Sequence, residues 1–192
     1  MAFQRAPTGH VFGDLIKRIN TRLRRRDHTF MQFESDTFSY VVIGSSAEDG
    51  WCAALDMPLR RLCRGLHVLK RTECLPAEAP KPGALPSVSL HRDEVARRIT
   101  NALRAVKPAG MYIAWQRGVR HVVQVDGPGW RLRFPIDLRS FARAIGVMNE
   151  GDYIVYAVGG DGDGKVSVLT SEGLVERDVV AGSPKPPERA AP

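Results

Sequence analysis

The sequence predicts an α+β protein built by tandem duplication of an α-β-β-β-α unit, with antiparallel sheets and an extra C-terminal β-hairpin in the second copy. Three observations carry this. The stretches "WCAALDMPLRRLCRGLHV" (51–68) and "WRLRFPIDLRSFARAIGV" (130–147) align without gaps, 79 positions apart, at Trp51/Trp130, Leu59/Leu138, Arg60/Arg139, Arg64/Arg143 and Val68/Val147. Upstream, "RINTRLR" (18–24) meets "RITNALR" (98–104), 80 positions apart and in the same order. Between the two matches, each half passes from helical spacing of apolar residues to strand alternation and back.

A helix opens each copy. Phe12, Leu15, Ile16, Ile19 and Leu23 make one apolar stripe at helical spacing, and Val95, Ile99, Ala102, Leu103 and Val106 repeat it, with Pro108 as the stop. Three strands follow: "TFMQFES", "FSYVVIG" and "WCAAL" in the first copy, "GMYIAWQ", "VRHVVQV" and "WRLRF" in the second, separated by turn residues. Met31 is expected to correspond to Met111, Phe33 to Ile113, and Val42 and Ile43 to Val122 and Val123. In the last strand Trp130, Leu132 and Phe134 take one face and Arg131 and Arg133 the other. A second helix closes each copy, with Leu59, Leu62, Cys63 and Leu66 matching Leu138, Phe141, Ala142 and Ile145. Its helices are expected over one face of its own sheet. Phe134, Leu138, Phe141 and Ile145 are expected to be buried, and Arg60 and Arg139, each just after an apolar position, to point outward.

The chain divides into a first repeat (1–74), a Pro/Ala-rich linker "LPAEAPKPGALPS" (75–87), a second repeat with the extra hairpin (88–180), and a tail (181–192) whose composition reads as disordered. The hairpin is "DYIVYAV" and "KVSVLT" around "GGDGDG". With 43% hydrophobic and 26% charged residues the chain can bury a core. No apolar run approaches the roughly 20 residues of a membrane helix, and the first residues lack the apolar stretch of a secretory signal. A cytoplasmic protein with no membrane partner is expected. Cys52, Cys63 and Cys74 are odd in number and form no C-x-x-C pair, which argues against a disulfide framework. The five histidines lack metal-ligand spacing, so neither metal nor cofactor is expected.

Net charge is +7, and its placement matters more than its size. Residues 1–26 hold seven basic side chains (Arg5, Lys17, Arg18, Arg22, Arg24, Arg25 and Arg26) against Asp14 alone. A local cationic patch of this kind suits a polyanionic partner. Lys17, Arg18, Arg22, Arg24, Arg25 and Arg26 are the candidate nucleic-acid-binding residues. Arg60, Arg61 and Arg64, and Arg131, Arg133 and Arg139, are placed to extend the track. Tyr112 and Trp115 are candidates for stacking on unpaired bases.

Catalytic signatures are missing. "GGDGDGK" fits the first part of a phosphate loop, but Val166 stands where Ser or Thr belongs, and a strand follows instead of a helix. Ser45 and Ser46 lie in no nucleophile motif, and the acidic residues at turns pair with no histidine.

Two family resemblances bear on function. The stretch "VDGPGWRLRFPIDLRSFARAIGVMNEGDYIVYAV" resembles the AbrB/SpoVT type of swapped-hairpin DNA-binding domain at Asp126, Gly129, Pro135, Leu138, Arg139, Gly146, Gly151 and Asp152. It departs by one extra residue before the proline and about one extra helical turn, and the resemblance implies a DNA-binding transcription regulator. The element order is similar to that of the double-stranded-RNA-binding domain, without that family's basic cluster at the start of the last helix. The expectation is a non-enzymatic nucleic-acid-binding protein, for DNA or RNA, with two tandem modules. The alternative from another class is a protein-interaction, assembly or inhibitor module of a phage or mobile element, whose arginines meet an acidic protein surface.

Overall fold

The computed structural model describes residues 7–35, 38–48, 50–75, 88–118, 120–157, 165–170 and 173–178, with side chains described up to Val155, Arg120 excepted. In chain order the elements are β1 (Gly9–Val11), α1 (Phe12–Arg24), β2 (His28–Phe33), β3 (Phe38–Ser45), β4 (Trp51–Pro58), α2 (Leu59–Leu66), β5 (Glu73–Cys74), β6 (Val88–Ser89), α3 (Arg92–Arg104), β7 (Met111–Gln116), β8 (Arg120–Gly127), β9 (Trp130–Pro135), α4 (Leu138–Ala144), β10 (Tyr153–Ala157), β11 (Lys165–Thr170) and β12 (Gly173–Asp178). The α+β class and the two three-stranded antiparallel sheets, β2-β3-β4 and β7-β8-β9, are as the sequence predicts.

The helices do not stay with their own sheets. α1 lies along β7 of the second copy and α3 along β2 of the first; α2, which follows β4, packs mainly on β9, and α4, which follows β9, packs on β4. α2 approaches β9 closely at Gly65, where a Cβ would require the Leu132 side chain to shift. The result is one core cluster shared by both copies, including Leu15, Ile19 and Leu23 from α1, Val95, Ile99 and Leu103 from α3, and Phe134 from β9. Periodicity shows which face of a helix is apolar but not which sheet it meets, so the expectation of each helix over its own sheet is corrected here. Burial of Phe134, Leu138, Phe141 and Ile145, at 5% exposure or less, agrees with the periodicity.

The exchange is symmetric down to single hydrogen bonds. β2 and β7 are edge strands of their sheets. The Met31 N–H donates to Thr100 Oγ1 of α3 (3.2 Å), and the Ile113 N–H donates to Asn20 Oδ1 of α1 (2.8 Å). Thr100 and Asn20 are matched positions of the duplicated "RITN/RINT" stretch. Each opening helix thus satisfies an edge donor that would otherwise invite another strand.

The ladders correct the strand register. Met31–Val41–Leu55 form one cross-strand row, and the row holding Phe134, the counterpart of Leu55, is Ile113–Val123–Phe134. Met31 therefore corresponds to Ile113, not Met111, and Val42 to Gln124, not Val122, a separation of 82 positions. A slip of two residues keeps every side chain on its face, so alternation alone does not detect it.

A further sheet has the order β1-β10-β11-β12. The expected hairpin is present as β10 and β11, antiparallel. Two strands of this sheet lie outside the sequence expectation: β1, parallel to β10 through Gly9/Tyr153 and Val11/Val155, and β12, antiparallel to β11; so do β5 and β6, which pair parallel with each other. Three residues of β1 are too few to show a period, and "GLVERD" alternates weakly. The "GGDGDG" loop, most of the linker (76–87) and the tail lie outside the described residues.

Candidate nucleic-acid interface

The buried face of α1 is fixed by Leu15, Ile19 and Leu23. Helical geometry then puts Lys17, Arg18, Thr21, Arg22 and Arg25 on one contiguous outer strip. This strip forms one wall of a cleft of about 330 Å³, closed on the other side by Ser45, Ala47, Trp51 and Val147. Four cations, two hydroxyls and Trp51 therefore line it, with no acidic side chain among its described lining residues. Arg25 has no side-chain partner among the described residues, while Lys17 makes only a loose surface pair with Asp14 at 3.5 Å. Arg22 reaches the Gly146 carbonyl at 3.3 Å. Arg24 is exposed on the same outer side of α1 but outside the cleft.

Arg26 is different. Its guanidinium is turned inward, donating to the carbonyls of Leu23 (2.8 Å), Pro108 (3.0 Å) and Lys107 (3.3 Å). Burial lowers its pKa from the free-arginine value. It ties the end of α1 to the segment before β7, so its position in the arginine run does not reveal its placement.

The duplicated helix α3 supplies an internal comparison. Arg98, the counterpart of Arg18, is held by Glu73 (2.7 Å) and Glu94 (2.7 Å), and Arg97, the counterpart of Lys17, is also held by Glu94 (2.7 Å). These hydrogen bonds to Glu73 and Glu94 raise the Arg98 pKa, and both carboxyls are held below their ordinary values by the same contacts. Ala102 and Ala105 stand where α1 has Arg22 and Arg25. Among the described residues two carboxylates, Glu73 and Glu94, meet this face of α3, whereas on the corresponding face of α1 Lys17 makes the looser contact with Asp14.

The remaining predicted residues are elsewhere. Arg60, Arg61 and Arg64 are exposed on α2, and Arg139 is half-buried on α4; none lines the cleft. Arg131 and Arg133 project from β9 into a network with Tyr112, Gln124 and Asp126. Of the two aromatic candidates, Tyr112 is half-buried in that network and Trp115 is 67% exposed near the end of β7.

A contact between the segment before α1 and the segment before β10 closes the chain near the cleft. The Asp152 carboxylate, fully buried, accepts from the Thr8 N–H (2.9 Å), the Thr8 hydroxyl (3.2 Å), the Asn149 N–H (2.8 Å) and the His10 Nε2–H (2.9 Å). Burial works against its charge, but these donors outweigh it and hold its pKa down to about 2. With Nε2 committed as donor, His10 Nδ1 is left to accept from Arg18 Nη1 at 3.0 Å, which orients one of the cleft cations. His10 and Asp152 stand 142 positions apart, and no local pattern pairs them.

The glycines of the AbrB/SpoVT resemblance, Gly129, Gly146 and Gly151, all have positive φ (76°, 69° and 86°). Gly146 is explained by the end of α4: Val147 N–H donates to the Ala142 carbonyl (2.8 Å), a Schellman closure. His67 occupies the same place after α2 at φ 53°, with Val68 N–H reaching the Cys63 carbonyl. Among the described residues no His/Cys/Asp/Glu cluster is arranged to hold a metal, and no helix is long and apolar enough to cross a membrane. No protein-family model, curated protein or solved structure matches the chain.

Proposed function

We propose that the chain is a nucleic-acid-binding protein whose primary contact is the phosphate backbone in the α1 cleft. The observation that carries this is the contrast between the two copies: Lys17, Arg18, Arg22 and Arg25 converge on one cleft with no acid in its described lining, whereas the corresponding part of α3 is neutralised by Glu73 and Glu94. A cleft lined by charges of one sign focuses its field and draws in an anionic ligand. A cleft lined by charged ends and hydroxyls recognises phosphate oxygens, so the contact positions a strand without reading its sequence.

The test is binding of labelled oligonucleotides to the wild type and to a variant with Lys17, Arg18, Arg22 and Arg25 all replaced by Gln. Affinity is expected to fall at least tenfold, about equally for unrelated sequences. A drop confined to one sequence would favour the AbrB/SpoVT-type regulator reading. No binding by the wild type at low salt would favour an acidic protein partner instead.

A further inference from the structure

We propose that Arg131 and Arg133 form a second oxyanion site, on the face of β9 turned away from the shared core, whose ligand is a phosphate group. The site uses none of the cleft residues; it deepens the reading above by adding a second phosphate contact.

The two arginines stand two residues apart on one strand, so they share a face at a spacing of about 6.6 Å. Each is anchored through Nε. Arg131 Nε donates to Asp126 Oδ1 at 2.6 Å, and Arg133 Nε donates to Gln124 Oε1 at 3.0 Å. The Gln124 amide is itself fixed. Its nitrogen faces the Tyr112 hydroxyl oxygen (2.6 Å) and both Asp126 oxygens (3.1 Å each), which leaves its oxygen toward Arg133. The Tyr112 hydroxyl donates to Asp126 Oδ2 at 2.9 Å. With Nε engaged, Nη1 and Nη2 of both guanidinium groups have no partner among the described residues. Two oriented forks are therefore presented, and such forks match the oxygens of phosphate. One carboxylate faces two guanidinium groups, so the cluster retains positive charge.

The other copy shows that the sheet does not need this network. The ladders place Tyr112, Gln124 and Arg133 in one cross-strand row, and the matching row of the first sheet is Phe30, Val42 and Ala54. Asp126 and Arg131 likewise correspond to Gly44 and Cys52. The first copy folds the same three strands with no hydrogen-bonding side chain in the row. Five polar residues have been set on one copy of a scaffold that is stable without them, and together they aim two cations.

The experiment follows the arginine Nε–Hε resonances in the wild-type protein during titration with inorganic phosphate and, separately, with an oligonucleotide lacking terminal phosphates. Saturable shifts are expected at Arg131 and Arg133, and they should persist when Lys17, Arg18, Arg22 and Arg25 are Gln, which separates this site from the cleft. Saturation by the oligonucleotide assigns a backbone phosphodiester; saturation by free phosphate alone assigns a terminal or free phosphate. Replacing both arginines by Lys keeps the charge and removes the forks, and should weaken the site at least fivefold. Shifts that never saturate, or that match those of the exposed Arg61 and Arg64, overturn the proposal.

Discussion

Arg25 and Arg26 are neighbours in sequence with opposite roles. Arg25 lines the cleft and spends its side chain on no protein group described, whereas Arg26 binds three carbonyls. Arg26→Gln should therefore cost about 1–2 kcal/mol in stability, since partly buried charged hydrogen bonds are lost, and leave oligonucleotide affinity nearly unchanged. Arg25→Gln should do the reverse, with a stability change within about 0.5 kcal/mol. Chemical denaturation and a binding titration on both variants check this. Asp152 gives a pH-dependent counterpart. Its folded pKa of about 2 lies below the ordinary carboxylate value of 3.8, so across that interval the unfolded chain binds more protons than the folded one. The stabilisation is complete above about pH 5 and is lost as pH falls from about 4 through 2. Acid unfolding of Asp152→Asn should lack that part of the slope, and the variant should be about 2 kcal/mol less stable at neutral pH.

At the scale of elements, the duplication explains its own signature. Val68 and Val147 match because each donates its N–H to a carbonyl near the end of a closing helix while its side chain packs on the core. The residue before each must adopt a left-handed conformation. Gly146 does so freely, but His67 at φ 53° does not. His67→Gly should raise stability by about 0.5–1 kcal/mol, read as a shift of the denaturation midpoint; a loss would mean that the His67 side chain makes a contact of value. Helices and strands were legible because the apolar periods of Leu15/Ile19/Leu23 and of Leu132/Phe134 are strong. The partner of each helix was not, because Asn20 and Thr100 read as polar helix residues until the edge strands they serve are known. The same holds for the site: the arginine run was visible, but its division into cleft, surface and carbonyl-binding positions depends on where α1 lies in three dimensions.

For the molecule as a whole, helix exchange makes each copy incomplete alone. Without α3, β2 loses the helix along its edge, and without α1 so does β7. A fragment of residues 1–78, or of residues 85–192, should fail to show a cooperative unfolding transition as a monomer, whereas the two mixed should regain one. Independent folding of either fragment would contradict the shared core. This architecture also carries a charge asymmetry: around one shared core, α1 lines a cleft with four cations, while Glu73 and Glu94 pair with the arginines of α3. The slope of log affinity against log salt, measured for the wild type, the cleft variant and an α3 control with exposed Arg97 and Arg104 replaced by Gln, tests that asymmetry. Each phosphate contact contributes about 0.9 to the slope on duplex and about 0.7 on a single strand. The cleft variant should lose up to about 3.6 units of slope on duplex, or about 2.8 on a single strand, and the α3 control less than about one; equal losses, or an unchanged slope in the cleft variant, would contradict the assignment of the α1 cleft as the phosphate-binding site.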